Sequence, residues 1–259
     1  ATTEIYTALN TLSLHDALPI CRAVVVDAGP EPSGVDGCLR RLGVREVPLL
    51  VVSHFHVDHV GGVAGVFRGR RVGAVVSPPW PEPPYGVAQV REAARRGGAS
   101  LAPASAGWRW GEGGVRLVAV GPPYPLRGSR SDPNNNSLVL SATVSGVRIL
   151  LAGDAETEEQ QAVRETLPAG ALRADVLKVA HHGSAYQDPE FLAAARPAVA
   201  LVCVGVDNDY GHPHQALLDR LTRAGARVVR TDTDGDVATV RTGSGLAVVV
   251  RGAAPGPPR

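Results

Sequence analysis

Methionine is absent from all 259 residues, and lysine occurs once, at Lys178, so every other basic residue is arginine. Cysteine is scarce: Cys21, Cys38 and Cys203 make neither a CxxC pair nor a disulfide framework, and they leave the redox compartment open. No apolar run approaches the length of a membrane helix, so this stretch of chain does not itself cross a bilayer as one. Net charge is lacking too. The 26 basic and 25 acidic groups leave +1, which argues against a protein that coats nucleic acid by charge alone. What is present is a 44% apolar share with 30 glycines and 21 prolines. That apolar content excludes disorder and supplies core for one globular domain or two small ones. A chain without methionine is expected to be a piece of a longer one.

Residues 1–20 stand apart from the rest. ATTEIYT (1–7) and TLSLHDALPI (11–20) resemble translated sequencing adapters in their usual order, so 1–20 is expected to be an artefact outside the native fold. Beyond it, strand and helix patterns alternate without a domain-separating linker, and residues 21–251 are expected to form one domain. Short apolar runs at 22–28, 48–53, 72–76, 147–152, 175–180 and 199–205 read as buried strands. Helical spacing marks 34–43, 60–67, 87–96, 156–166, 189–195 and 214–224. Two loops rich in Pro, Gly, Ser and Asn, 77–86 and 121–135, are long enough to be functional. Residues 252–259 (GAAPGPPR) read as a disordered tail. The pattern predicts an α/β protein with mixed sheets covered by helices.

Outside residues 1–20 the histidines fall in three short clusters, SHFHVDHVGG, VAHHGS and GHPHQ, each at or just past the end of an apolar strand. In extended chain, residues two apart point the same way, so His54 and His56 can clasp one cation. Asp58 and His59 follow at a turn and offer an oxygen and a nitrogen to a second. Gly61 and Gly62 let backbone pack closely behind them. Neutral imidazole and carboxylate suit zinc, manganese or iron. Four ligand-type residues in six positions are poorly explained by an exposed histidine-rich loop.

His54-Phe55-His56-Val57-Asp58-His59 resembles the HxHxDH signature of the metallo-β-lactamase superfamily. The resemblance implies an αββα four-layer sandwich, here N-terminally truncated, with two divalent metal ions and hydrolysis by metal-activated water. It casts Asp27 as a buried prop beneath the metal loop and Asp154, in ILLAGDAE, as the carboxylate bridging both ions. It places one histidine of VAHHGS on the second ion; His181 is favoured, with His182 behind it or facing substrate. The ligand set is then His54, His56, Asp58, His59, Asp154 and His181. Ordinary members carry a further histidine between the signature and the Gly-Asp, and this sequence has none between His59 and His181. The first site is therefore expected to be weak, with Asp132, Asn134, Asn136 or water as supplements, and Ser137 and Ser184 within reach of ligand or substrate.

NNNSLVL, LLAGDAE, VLKVAHHGS, YGHPH and RTDTDGDV, in that order, resemble the carboxy-terminal domain of the ComEC family of bacterial DNA-uptake proteins. That resemblance implies a nuclease domain on the outer face of the cell membrane, degrading one DNA strand beside a membrane channel that this stretch lacks. It also implies that the domain's opening strand is missing. Asp58 would orient water, and His212 is the candidate proton donor to the leaving alkoxide. His214 reads as structural. Arginines 68, 70 and 71 are candidates to guide phosphate, and Thr231-Asp232 reads as a turn. Two other functions stay open: a carbonyl hydrolase such as a lactonase or thioesterase, and a DNA-binding module without catalysis.

Overall fold

The computed structural model describes residues 3–8, 11–14, 21–243 and 245–252. In chain order the strands are β1 (Thr3–Ala8), β2 (Thr11–Leu14), β3 (Arg22–Val26), β4 (Glu46–Val51), β5 (Arg71–Ser77), β6 (Ser100–Pro103), β7 (Arg109–Glu112) and β8 (Val115–Gly121). They continue as β9 (Val139–Val144), β10 (Val147–Leu151), β11 (Val176–Lys178), β12 (Val199–Val202), β13 (Arg227–Arg230), β14 (Asp236–Thr242) and β15 (Gly245–Arg251). Two sheets result, one ordered β15-β14-β1-β2-β3-β4-β5-β6 and the other β13-β12-β11-β10-β9-β8-β7. Helices α1 (Pro32–Arg41), α2 (Val57–Val60), α3 (Val63–Val66) and α4 (Pro84–Gly97) belong to the first half of the chain. Helices α5 (Thr157–Thr166), α6 (Pro189–Ala195), α7 (Gln215–Arg223) and α8 (Thr231–Asp234) belong to the second.

Side-chain alternation builds the layers. Val24 and Val26 of β3, with Leu49 and Val51 of β4, meet Leu117, Leu140 and Ile149 of the opposite sheet in a central core. The alternate residues Ala23, Val25 and Leu50 face outward onto Leu39 of α1, Val63 and Val66 of α3 and Val90 of α4. Across the molecule, Leu150 and Leu177 face outward onto Val163 of α5, Phe191 of α6 and Leu217 of α7. Strands buried on both faces must be apolar throughout, which is why these runs show no polar alternation. Three apolar interfaces between four layers give the expected αββα sandwich.

Several elements differ from the sequence reading. Expected helix 60–67 is two single turns, α2 and α3, because Gly61 and Gly62 press backbone against backbone between them. A Cβ on Gly61 would sit 2.1 Å from Pro30 O, and one on Gly62 2.1 Å from Ala28 O. Strands β6 and β7 do not stand out in the sequence, since β6 is exposed along its length and β7 turns only Trp110 to the core. Thr231-Asp232 opens a helical turn, α8. Residues 3–8 and 11–14, expected to lie outside the fold, run as strands that bridge β14 and β3. Backbone pairing asks only for extended chain, so the ladder forms whatever the origin of the segment. The tail reading falls, from residue 253 onward, outside the described residues. Among the described residues no helix is long and apolar enough to cross a membrane.

Candidate metal centre

The histidine-rich segment leaves the C-terminal end of β4, and its anchor lies one strand away. Asp27, at φ 59° just past β3, is 1% exposed. Its Oδ1 accepts from Ser53 N at 2.7 Å, and its Oδ2 accepts from Ser53 Oγ at 2.8 Å and faces His59 Nδ1 at 2.8 Å. One carboxylate thus fixes both ends of the loop and sets the tautomer of His59. Asp154 follows β10, its N–H donating to Ser137 Oγ at 3.2 Å. His181 and His182 follow β11 in two consecutive left-handed conformations, φ 45° and 52°. Side chains adjacent in sequence would oppose each other on a strand; here they splay, with ring centroids 6.0 Å apart.

Four imidazoles converge on Asp154. Their Nε2 atoms lie 3.9 Å (His54), 3.2 Å (His59), 4.0 Å (His181) and 3.2 Å (His182) from its carboxylate oxygens. Each turns Nδ1 to an oxygen of the protein: Ser53 Oγ at 3.2 Å, Asp27 Oδ2 at 2.8 Å, Glu156 Oε1 at 3.0 Å and Cys203 O at 2.7 Å, in the same order. The contact at Glu156 is close but not aligned as a hydrogen bond. His56 points Nδ1 at His54 Nε2, 3.0 Å away. Asp58 completes the group, with Oδ2 at 2.9 Å from His182 Nε2 and 3.5 Å from His59 Nε2.

Burial alone would strip the proton from each ring, and for His54 and His56 it does, holding both below the ordinary value. At His59 burial is outweighed by the Asp154 and Asp27 carboxylates, which hold it well above that value. At His182 it is outweighed by Asp154 and Asp58, and the ring is pushed up to about 9. Asp154, although buried, stays ionised because His59 and His182 flank it. Asp58 is likewise lowered against its burial, by His182 and then His59.

The donors fit a cation better than they fit protons. Asp58, His59, Asp154 and His182 each offer one atom to a cluster spanning no more than 4.8 Å. Asp154 Oδ1 is buried, with His59 Nε2 at 3.2 Å but not aligned as a hydrogen bond, and His59 Nε2 and His182 Nε2 face each other at 3.4 Å. Two imidazoles directed nitrogen to nitrogen beside an orphaned carboxylate oxygen are satisfied together by one positive ion. The sequence favoured His181 for this cluster, and the structure brings in His182 instead. Which of two adjacent histidines turns inward depends on the left-handed pair, which the sequence does not display.

The remaining expected residues are engaged elsewhere. Asp132 accepts from Gly128 N, Ser129 N and Ser129 Oγ, closing its own turn. Asn136 spends its amide on Leu126 N, Leu126 O and Asp132 O, clamping the 122–132 loop. Asn134 donates to Glu156 Oε1 at 3.5 Å. Ser137 Oγ supports Asp154 from behind, and Ser184 Oγ accepts from Tyr186 N. Arg70 is not free to guide phosphate: its guanidinium, 3% exposed, is paired with Asp36 at 2.9 Å and bound to Val44 O, Gly65 O and Asp36 O. His212 lies 5.3 Å from His181, ring to ring, and stacks on the exposed Tyr210 at 6.2 Å. Burial, then the His181 and His182 charges, lowers its pKa. Asp58, His182, Asn208, Tyr210 and His212 line a cleft of about 250 Å³. Sequence reasoning missed Ser53 and the orienting position of Glu156, whose only visible signals were a strand-end serine and an acid beside a helix start.

Residues 22–206 match the family model described as the metallo-beta-lactamase superfamily. Among curated proteins the chain is 32% identical over 196 residues to ComE operon protein 3 of Bacillus subtilis, covering 75% of this chain and 25% of that one. It is 29% identical over 204 residues to competence protein ComA of Neisseria gonorrhoeae, covering 78% and 26%. Recombination protein 2 of Haemophilus influenzae is 28% identical over 189 residues, covering 73% and 21%. The chain therefore spans about a quarter of the length of the curated relatives it matches. Similar solved folds include CmlA, a diiron β-hydroxylase from Streptomyces venezuelae, at TM-score 0.60 and 15% identity, covering 88% of this chain and 52% of that one. Another is the metallo-β-lactamase fold protein YhfI from Bacillus subtilis, at 0.56 and 10%, covering 88% and 95%.

Proposed function

The chain belongs to the metallo-β-lactamase superfamily, and from that premise we propose that it is a metal-dependent phosphodiesterase acting on DNA, the hydrolytic part of a longer DNA-uptake protein. The observation that carries this reading is the donor cluster of Asp58, His59, Asp154 and His182, two of whose members also line the cleft with Tyr210 and His212. Asp58, His59, Asp154 and His182 would hold one divalent ion, zinc or manganese by donor chemistry. His54 and His56 would hold another, with Asp154 shared. Bound there, such ions lower the pKa of water and stabilise the charge that develops on a phosphate in displacement.

The protein's own groups do the rest. Asp58, its side chain 39% exposed, presents a carboxylate to entering water and orients it. Asp27 and Ser53 keep His59 from rotating, and Cys203 O does the same for His182. His212 would be the proton donor to the leaving alkoxide once an anionic phosphate bound beside it offsets the burial that lowers its pKa. Tyr210, 85% exposed beside it, offers an aromatic face on which a base can stack. The competence and recombination relatives support DNA as the substrate. In the longer protein this domain would sit on the outer face of the bacterial membrane, feeding a channel formed by other segments.

A cleavage assay on single-stranded and duplex oligonucleotides with added zinc or manganese tests the proposal. Asp58→Ala should cut the rate about 10²–10⁴-fold, the usual cost of removing a positioned acid or base, whereas exposed His214→Ala should leave it near wild type. Undiminished cleavage by Asp58→Ala would overturn the mechanism. Metal-loaded protein that opens lactones or thioesters but no DNA would make it a carbonyl hydrolase. Metal-free protein that still binds DNA would make it a binding module.

A further inference from the structure

The first metal position has two imidazoles, His54 and His56, and a shared carboxylate, Asp154. The geometry points to His181 as its third imidazole, with the Glu156 carboxylate beside its other nitrogen, so that the two adjacent histidines serve different ions; this rests on the metal-centre reading just given. His182 is committed to the second position. Its Nε2 lies 2.9 Å from Asp58 Oδ2, 3.2 Å from Asp154 Oδ2 and 3.4 Å from His59 Nε2. His181 Nε2 approaches the same Asp154 Oδ2 at 4.0 Å, and His54 Nε2 approaches it at 3.9 Å. Donors on one ion with bonds of about 2.0–2.2 Å lie at most about 4.4 Å apart, and about 3.4 Å apart at the tetrahedral angle. Both spacings meet that limit.

Orientation argues the same way. A ligating imidazole usually faces a carboxylate, carbonyl or hydroxyl through its other nitrogen, which fixes the ring and its tautomer. His181 has Glu156 Oε1 at 3.0 Å from Nδ1, which leaves Nε2 toward Asp154. Glu156 is 2% exposed, and its Oε2 has no hydrogen-bond partner. A buried carboxylate of this kind is costly unless a neighbouring group pairs with it. Asn134 donates to Glu156 Oε1 at 3.5 Å. The asparagine block, which occupies the stretch lacking a histidine, then acts at one remove. It braces the acid that aims His181, and it contributes no ligand. Asn136 and Asp132 cannot compete, because their polar atoms are already bonded.

Metal stoichiometry tests this without recourse to activity. The protein, stripped of metal and titrated with manganese or cobalt, is followed by calorimetry and, for cobalt, by visible absorption. Wild type should bind two ions, His181→Ala one and His182→Ala one. Combining His54→Ala with His181→Ala should leave one ion, since both substitutions act on the same position. Combining His182→Ala with His181→Ala should leave none. Glu156→Gln, which keeps the shape of the side chain, should weaken one ion about 10–100-fold, as loss of an orienting partner does, and spare the other. Circular dichroism of each variant confirms that it is folded. Two ions at wild-type affinity in His181→Ala would overturn the inference and leave the metal centre standing. So would loss of the same ion by His181→Ala and His182→Ala, shown by the surviving cobalt spectrum. A wild type that binds no ion would remove the metal centre and the inference with it.

Discussion

Asn135 shows how much one side chain can carry in this fold. It is fully buried, and its Oδ1 accepts from Glu156 N and Glu159 N, both at 3.1 Å. Helix α5 has no capping side chain of its own at Glu156, so Asn135 supplies the cap from a segment about twenty residues earlier. Asn135→Ala would leave two buried N–H groups without acceptors. A lost cap of this kind typically costs about 0.5–2 kcal/mol, and urea unfolding should show that loss as a lower midpoint at unchanged slope. The asparagine run was legible as a feature that mattered, but not as a cap. Its partners come from α5, and no local spacing announces them. The HxHxDH stretch was legible because its donors are close in sequence and their directions follow from strand and turn geometry. The choice between His181 and His182 was not, because two left-handed residues decide it.

At the scale of elements, the N-terminal turn of α5 lies against the loop that precedes β9, and Glu159 is the energetic weak point of that contact. Its side chain is fully buried; Oε2 accepts from Ser137 N at 3.2 Å, and Oε1 has no partner. Burial raises its pKa well above the ordinary 4.5, with only the Ser137 hydrogen bond opposing. A group whose folded pKa is raised contributes stability that is complete below the unfolded value and is lost as pH climbs through the folded one. Glu159→Gln, a neutral side chain of the same shape, should therefore match wild type below about pH 4.5 and become the more stable protein as pH rises. Thermal melts of the two proteins across that range check it, and parallel curves would refute it. Most elements could be read from alternation: Val24 and Val26 face inward, and Ala23 and Val25 face outward. Strands β6 and β7 could not, since an exposed edge strand need not show an apolar face.

For the whole molecule, the integrity of the larger sheet turns on β1 and β2, which fill the slot between β3 and β14. The sequence sets residues 1–20 outside the fold, yet the structure pairs Leu12 with Val26 and Leu14 with Val24, and Thr3 through Thr7 with Arg241 back to Val237. Remove those strands and the eight-stranded sheet parts into β15-β14 and β3-β4-β5-β6, each with a bare edge. Strand β3 leads directly into Asp27, the carboxylate that ties Ser53 to His59. A loosened β3 would therefore reach the metal centre as well as the core. Deletion of residues 1–20 should lower the melting temperature, by about 2–4 °C for each kcal/mol lost in a domain of this size. It should also promote association through the new edges and weaken binding of the ion that His59 would hold. Exchanging residues 3–8 and 11–14 for other alternating β-forming sequences should restore all three properties, because the ladder is a pairing of backbone groups. An unchanged melting temperature on deletion would instead return the segment to the place the sequence first gave it, outside the fold.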